Sequence, residues 1–281
     1  MRCTPVVFDK KVSQMRLQVL AVTMHREDVS IAEQMNIRCD AVVANQADRE
    51  ETVIRDTDYG QWKMITTTTR GVGRNRNVAL EAADGDVLLL SDDDLTYEDD
   101  MPTRVRQAFE ELPQADVILF GLNMVRDGQV FETRCEPIRR VRIWNAMRYG
   151  TCRIAIRREA LERTGIRFHE SFGGGCPFSA GEDSLFVKSC LDHGLRLYTY
   201  PYVLGGCRKD ESSWFVGYNE KYFYDKGVLV RHLFPRTAYV MALYFGACFK
   251  RETELGLWQR LRLVYAGVRG GKTLTPYSET L

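Results

Sequence analysis

The sequence predicts an α/β protein built on a mostly parallel, doubly wound sheet. Val87–Leu90 is an unbroken apolar run, as expected of a strand buried on both faces. Through Ser91 it leads straight into three carboxylates, Asp92-Asp93-Asp94. Strand-like and helix-like segments alternate over roughly the first 125 residues, the pattern of a parallel sheet with crossover helices.

Leu17–Thr23 and Ala41–Asn45 read as the first two strands, with a helical turn at Ser30–Met35 between them. A helix over Asn77–Ala83 follows a loop at Gly71–Gly73 and leads into Val87–Leu90. Asp99-Asp100-Met101-Pro102 caps the next helix, Thr103–Leu112, which Pro113 ends. Asp116–Leu122 is a further buried strand, and Asp127-Gly128 marks a hairpin turn. Thr151–Ile156 reads as a strand and Phe172–Gly181 as a glycine-rich loop. Glu182–His193 is a helix with Leu185, Phe186, Cys190 and Leu191 inward and Gly194 just past its end. Leu195–Tyr200 is a late strand, and the chain looks helical from Tyr218 to a basic tail.

Lys and Arg total 39 against 38 Asp and Glu, so the near-zero net charge argues against a nucleic-acid binder. The eight cysteines include no C-x-x-C pair, which disfavours zinc and a disulfide framework. Met1–Gln18 has no sustained apolar core, so no signal peptide is expected and the protein reads as cytoplasmic with reduced thiols. The longest apolar stretch, Ala238–Phe249, is about half of what a membrane span needs. The sequence sets no oligomeric state.

Three adjacent acids at a strand end call for a counter-charge. Open α/β sheets bind ligands there, and hard divalent cations take oxygen ligands, so a metal beside a phosphate-bearing ligand is the economical reading. Gly71-Val72-Gly73-Arg74-Asn75-Arg76 lacks the last glycine of a dinucleotide fingerprint and is not a Walker A loop. It reads instead as a flexible loop whose arginines open a helix and suit a diphosphate, against the plainer alternative of a surface turn. Asp183, with Glu182 at a helix start after Gly173-Gly174-Gly175, suits a general base, although acidic helix caps are common. His25, His169, His193 and His232 show no metal-ligand spacing, with His232 at most a remote third ligand. Trp214, beside Ser212-Ser213 and Tyr218, suits a sugar-stacking wall or a core position.

In order and separation, the strand before Asp92-Asp93-Asp94, the upstream Arg-Asn helix start and the downstream Gly-Glu-Asp resemble the family 2 glycosyltransferases. The resemblance runs over about residues 17–230 and is similar to bacterial capsule and surface-polysaccharide enzymes. It implies a GT-A fold: a Rossmann-like, mostly parallel central sheet flanked by helices, here with a C-terminal helical extension. The catalytic domain would span 1–230, with a nucleotide-sugar half at about 17–125 and an acceptor half at about 126–230. Residues 231–281 would form the extension. The resemblance further implies an inverting transferase that uses a nucleotide-sugar, usually UDP-linked, with Mn²⁺ or Mg²⁺ and a glycan or lipid-linked acceptor. Carried onto this chain, it puts Thr23, Asn45 and Arg76 on the nucleotide, Asp92 at the ribose or the metal, and Asp183 as base. Asp93 and Asp94 are the better metal candidates, with alignment by one residue deciding which two of the three acids hold the metal. Arg70, Arg74 and Asp93 are further donor candidates, and Glu182 and Trp214 acceptor candidates. Asn45 stands where the family often has an acid.

Two rivals differ in class. A sugar-phosphate nucleotidyltransferase would place a glycine-rich basic loop after the first strand, but Thr23-Met24-His25-Arg26 has no glycine. A non-catalytic nucleotide-sugar-binding protein would have no need of Asp183. Finally, Leu255–Tyr265 mixes Leu, Trp and Tyr with Arg, Lys250 and Arg251 precede it, and Arg269 and Lys272 follow. The segment suits either peripheral contact with the inner membrane or a helix packed back on the catalytic domain.

Overall fold

The protein is described from a computed structural model covering residues 15–208, 217–248 and 253–277. Strands β1 (Leu17–Met24), β2 (Asp40–Gln46) and β5 (Val87–Asp92) are buried almost throughout, and β1 pairs in parallel with both of the others. Between β1 and β2 lies the short α1 (Ile31–Gln34). Two strands that sequence patterning missed extend this sheet. β4 (Gly60–Thr67) adds in parallel to β2, and β3 (Glu51–Thr57) turns back antiparallel on β4 at the edge. Being an edge strand, β3 is largely exposed, so no apolar run marks it. β4 alternates, with Trp62, Met64 and Thr66 inward, and that period of two was its only signal.

Helix α2 (Val72–Glu81) starts five residues earlier than the expected 77. β6 (Leu95–Tyr97) follows the acidic turn, and α3 (Met101–Glu111) leads to β7 (Val117–Arg126). Asp127 and Gly128, both at positive φ, form the two-residue turn into β8 (Gln129–Arg134), the expected hairpin. After β9 (Arg139–Arg140) and α4 (Ile143–Ala146), a 3₁₀ turn at Thr151–Arg153 delivers β10 (Ile154–Arg157). β10 runs antiparallel between β5 and β7, so the sheet is parallel only over its β4-β2-β1-β5 half and its β7-β11 pair. α5 (Arg158–Thr164) and α6 (Glu182–Asp192) precede β11 (Leu197–Arg208), which runs eight residues beyond the expected end at Tyr200. One apolar layer lies on each face. Ile31, Val105 and Phe109 contribute to one, and Ala79, Leu161 and Phe186 to the other.

The C-terminal part is helical, as expected: α7 (Glu220–Leu233), α8 (Ala238–Cys248) and α9 (Leu257–Gly270). The boundary expected at residue 230 falls inside α7. Among the described residues, no helix is long and apolar enough to cross a membrane.

Candidate active site

The strand order β2-β1-β5 reverses direction at β1, so a crevice opens beyond the carboxyl ends of these strands. The registers Thr23↔Asn45 and Val22↔Asp92 bring three candidate residues to that edge. Asn45 is fully buried. Its side-chain oxygen accepts from the Arg26 N–H at 3.1 Å, and its amide donates to the Arg26 carbonyl at 2.9 Å and to Thr66 Oγ1 at 3.1 Å. It therefore supports the wall of the crevice from beneath.

The turn between β5 and β6 divides the acid triplet. Asp93 accepts from Thr23 Oγ1 at 2.6 Å and lies 3.4 Å from the Arg26 guanidinium. Asp92 pairs with Arg76 at 2.7 Å and accepts from Cys152 Sγ at 2.9 Å, while Asp94 accepts from Cys207 Sγ at 3.4 Å. Donor atoms of Asp92, Asp94 and Cys152 lie within 4.8 Å of one another. The pair brought together is thus Asp92 and Asp94, one of the pairings the triplet left open, and not the favoured Asp93 and Asp94. Cys152, which sequence reasoning passed over, completes the group from the turn before β10. Burial, then the charge of Asp92, pushes its thiol well above its ordinary pKa, so it stays protonated and donates to Asp92.

The three arginines have separate fates. Arg70 is spent on the carbonyls of Ala47, Thr68 and Thr69 and on Asp48, and Arg74 pairs with Glu170 at 3.0 Å on the surface. Only Arg76 reaches the acids. It is buried, 2.7 Å from Asp92 and 4.0 Å from Glu182, with its guanidinium 5.5 Å from the centre of the Phe168 ring. Burial works against its charge, but Asp92 and Glu182 outweigh burial and hold its pKa above the ordinary value. Arg76→Gln would leave both acids without their shared cation. A fully buried pair broken this way costs about 3–5 kcal/mol. Because Asp92 is partly exposed, we expect roughly 2–3 kcal/mol here, read as a lower denaturation midpoint in metal-free buffer.

The Gly71–Gly73 segment is not a free loop. A Cβ on Gly73 would sit 2.5 Å from the His169 carbonyl oxygen, and the Val72 N–H donates to the Gly174 carbonyl at 3.0 Å. These glycines let the start of α2 press against the 169–176 loop. Asn75 extends the joint, donating to the carbonyls of Thr23 and Ala44.

Across the crevice, Gly181 takes a positive φ of 116° as N-cap of α6, setting Glu182 and Asp183 in the first turn. Asp183 Oδ1 accepts from the Ser184 N–H at 2.6 Å. Its Oδ2 lies beside Gly150, on which an added Cβ would stand 3.9 Å away. Burial raises the pKa of Asp183, and burial followed by the charge of Asp183 raises that of Glu182. Lys226 on α7 acts on Asp183 by charge, although burial lowers its own pKa. His232 stacks edge-on with His169, 5.6 Å between centroids, and its Nδ1 bonds within α7, apart from the acid group. Trp214 lies outside the described residues.

An open α/β sheet with carboxylates at its switch point and a buried acid across the crevice is the frame of a group-transfer enzyme. Residues 29–165, just under half of the chain, match the family model described as Glycosyl transferase family 2, and the fold is the GT-A fold of similar solved structures. No curated protein matches the sequence. Among solved structures, S. aureus TarS 1-349 in complex with UDP-GlcNAc is similar at 17% identity and TM-score 0.58, over 95% of this chain and 78% of that one. The UDP complex of the same fragment matches at 17% identity and TM-score 0.55, over 95% and 73%. S. aureus TarS itself matches at 18% identity and TM-score 0.59, over 85% of this chain and 44% of that one.

Proposed function

We propose that this protein is a metal-dependent, inverting glycosyltransferase of surface-polysaccharide assembly. It moves a sugar from a UDP-linked nucleotide-sugar to a hydroxyl of a glycan or lipid-linked acceptor. One observation carries the reading: Arg76 stands between Asp92 and Glu182, so a single guanidinium joins the strand-end acids to the start of α6. The TarS complexes with UDP-GlcNAc and UDP support a UDP-linked donor on this fold.

In this reading Thr23 and Asp93 meet the nucleoside side, Asn45 holds the Arg26 backbone beside it, and Arg70 and Arg74 flank the donor from the rim. The convergent oxygens of Asp92 and Asp94 suit Mn²⁺ or Mg²⁺. Such a cation neutralises charge on a departing diphosphate. Asp183 removes the proton from the acceptor hydroxyl as its oxygen attacks the anomeric carbon. The bond from that carbon to the diphosphate breaks, its electrons leave with the phosphate oxygen, and attack from the opposite side inverts the centre. Glu182 borders the acceptor, and Trp214 is its further candidate contact. A hydrolase would need two carboxylates flanking the sugar. The turn after β1 is pinned by Asn45 and has no glycine, against a nucleotidyltransferase. The seven described cysteines are all free, in keeping with a cytoplasmic site of action. Peripheral contact with the inner membrane would suit a lipid-linked acceptor.

Thermal stabilisation by a panel of nucleotide-sugars tests the donor class, because a ligand of the folded state raises its stability. UDP-sugars should raise the midpoint in Mn²⁺ and lose the effect in chelator; a panel without any stabiliser would sink the reading. A metal that displaced the Cys152 proton would gain a soft thiolate beside two hard carboxylates, which favours Mn²⁺ over Mg²⁺. Cys152→Ser should therefore raise the ratio of Mg²⁺-supported to Mn²⁺-supported transfer, and an unchanged ratio would remove the thiol from the metal.

A further inference from the structure

Helix α9 is held firmly on its inner face. Gly227 of α7 and Gly267 of α9 meet so closely that a Cβ on either would lie about 2 Å from the other helix's backbone, 2.1 and 2.0 Å respectively. Arg260, Val264, Gly267 and Val268 are buried there. The packing alternative for this segment is therefore present, yet the outer face stays open. Trp258 is 82% exposed, Leu243 of α8 lines the same groove and is 51% exposed, and Val240 and Tyr244, also on α8, are 67% and 62% exposed. α8 has no charged residue at all, so it contributes no charge to that face. Burying such side chains is favourable, and leaving several together in water is the mark of a docking surface.

The chemistry of the face is specific. Leu243, Trp258, Leu261, Arg262, Tyr265, Ala266 and Arg269 line a groove of about 650 Å³ between α8 and α9. Tyr265 is fixed by its hydroxyl, which donates to the Tyr239 carbonyl at 3.0 Å. α9 contains Arg260, Arg262 and Arg269, and neither helix contains an acid. Among the described residues Arg262 and Arg269 form no ion pair, and both are exposed. A second copy of this chain would be a poor occupant, since two-fold pairing of the face would set arginine against arginine with no acid to compensate. An anionic lipid surface satisfies both halves: headgroups for the arginines, and an interfacial layer for Trp, Tyr and Leu.

We propose that the α8–α9 face docks on an anionic lipid bilayer, with Trp258, Leu243 and Tyr244 entering the headgroup layer and Arg262 and Arg269 pairing with acidic headgroups. Its purpose rests on the glycosyltransferase reading, since docking would bring a lipid-linked acceptor to the enzyme. The route to Asp183 is short in the fold. Lys226, whose charge acts on Asp183, lies with its ammonium 6.0 Å from the centre of the Phe245 ring on α8.

Flotation of the full chain with vesicles tests this. The protein should float at low salt with phosphatidylcholine vesicles carrying about 30 mol% phosphatidylglycerol, and not with pure phosphatidylcholine. The double variant R262E/R269E should bind at least about tenfold more weakly, with thermal midpoint and UDP-dependent stabilisation unchanged. Brominated acyl chains should quench tryptophan emission in the wild type and much less in W258F. Absence of flotation, equal flotation with neutral vesicles, or an unaffected double variant would overturn the proposal. So would a dimer in sedimentation that Leu243→Asp disperses. Donor stabilisation is measured in the same samples, so failure of docking is separated from failure of the enzymatic reading.

Discussion

Asp183→Asn should lower sugar transfer by roughly 10²–10⁴-fold while leaving donor affinity unchanged. The amide nearly matches the carboxylate in shape and still accepts from the Ser184 N–H, so α6 keeps its start. What it loses is the lone pair that takes the acceptor proton. Stability should move the other way. Burial raises the pKa of Asp183 above its ordinary 3.8, so the folded protein holds that proton more tightly than the unfolded chain. The stabilisation is complete below about 3.8 and is lost as pH climbs through the raised value. At neutral pH the ionised, half-buried carboxylate beside Glu182 is therefore a cost, which Asn removes. A thermal midpoint at pH 7 equal to or above wild type is expected, with the acid limb of wild-type activity above the ordinary carboxylate range. Loss of donor binding together with a lower midpoint would make Asp183 a helix cap and no base.

How much of this was legible in the sequence depends on how each element meets its neighbours. β1 and β5 are covered on both faces, so their residues form continuous apolar runs that can be read directly. β3 and β4 are not, since one sits at an edge and the other shows only alternation. The antiparallel insertion of β10 has no local signature either, because Ile154, Ala155 and Ile156 would be buried in either direction. The same insertion hides Cys152 from sequence reasoning, since it meets Asp92 only once β10 has entered beside β5. The roles of the arginines hinged on where α2 begins. With the helix started at Val72 instead of 77, Arg74 and Arg76 stand about 200° apart around its axis, so one faces solvent when the other faces the acids. Likewise, an acid pair with one residue between its members was as readable as an adjacent pair, but the turn after Asp92 decides which of the two faces the crevice.

Removal of divalent cations should abolish transfer, and Asp94→Asn should weaken Mn²⁺-dependent donor binding by roughly 100-fold or more. The comparison that decides the ligands is with Asp93→Asn. Asp93 is engaged by Thr23 Oγ1 at 2.6 Å and by Arg26, and an amide oxygen can still accept from both, so its loss should be felt mainly in nucleotide affinity without metal. Asp94 shares a 4.8 Å cluster with Asp92 and Cys152, and an amide there replaces an anionic ligand by a neutral one. Asp92 is the weaker probe because its removal also strips Arg76 of its nearest counter-charge, mixing metal affinity with stability. The expected order of damage to Mn²⁺-dependent binding, measured by calorimetry with UDP, is therefore Asp94→Asn well above Asp93→Asn. The reverse order would return the metal to Asp93 and require the turn after β5 to rearrange on binding. Full activity in excess chelator would leave Arg76 as the cation serving the leaving group.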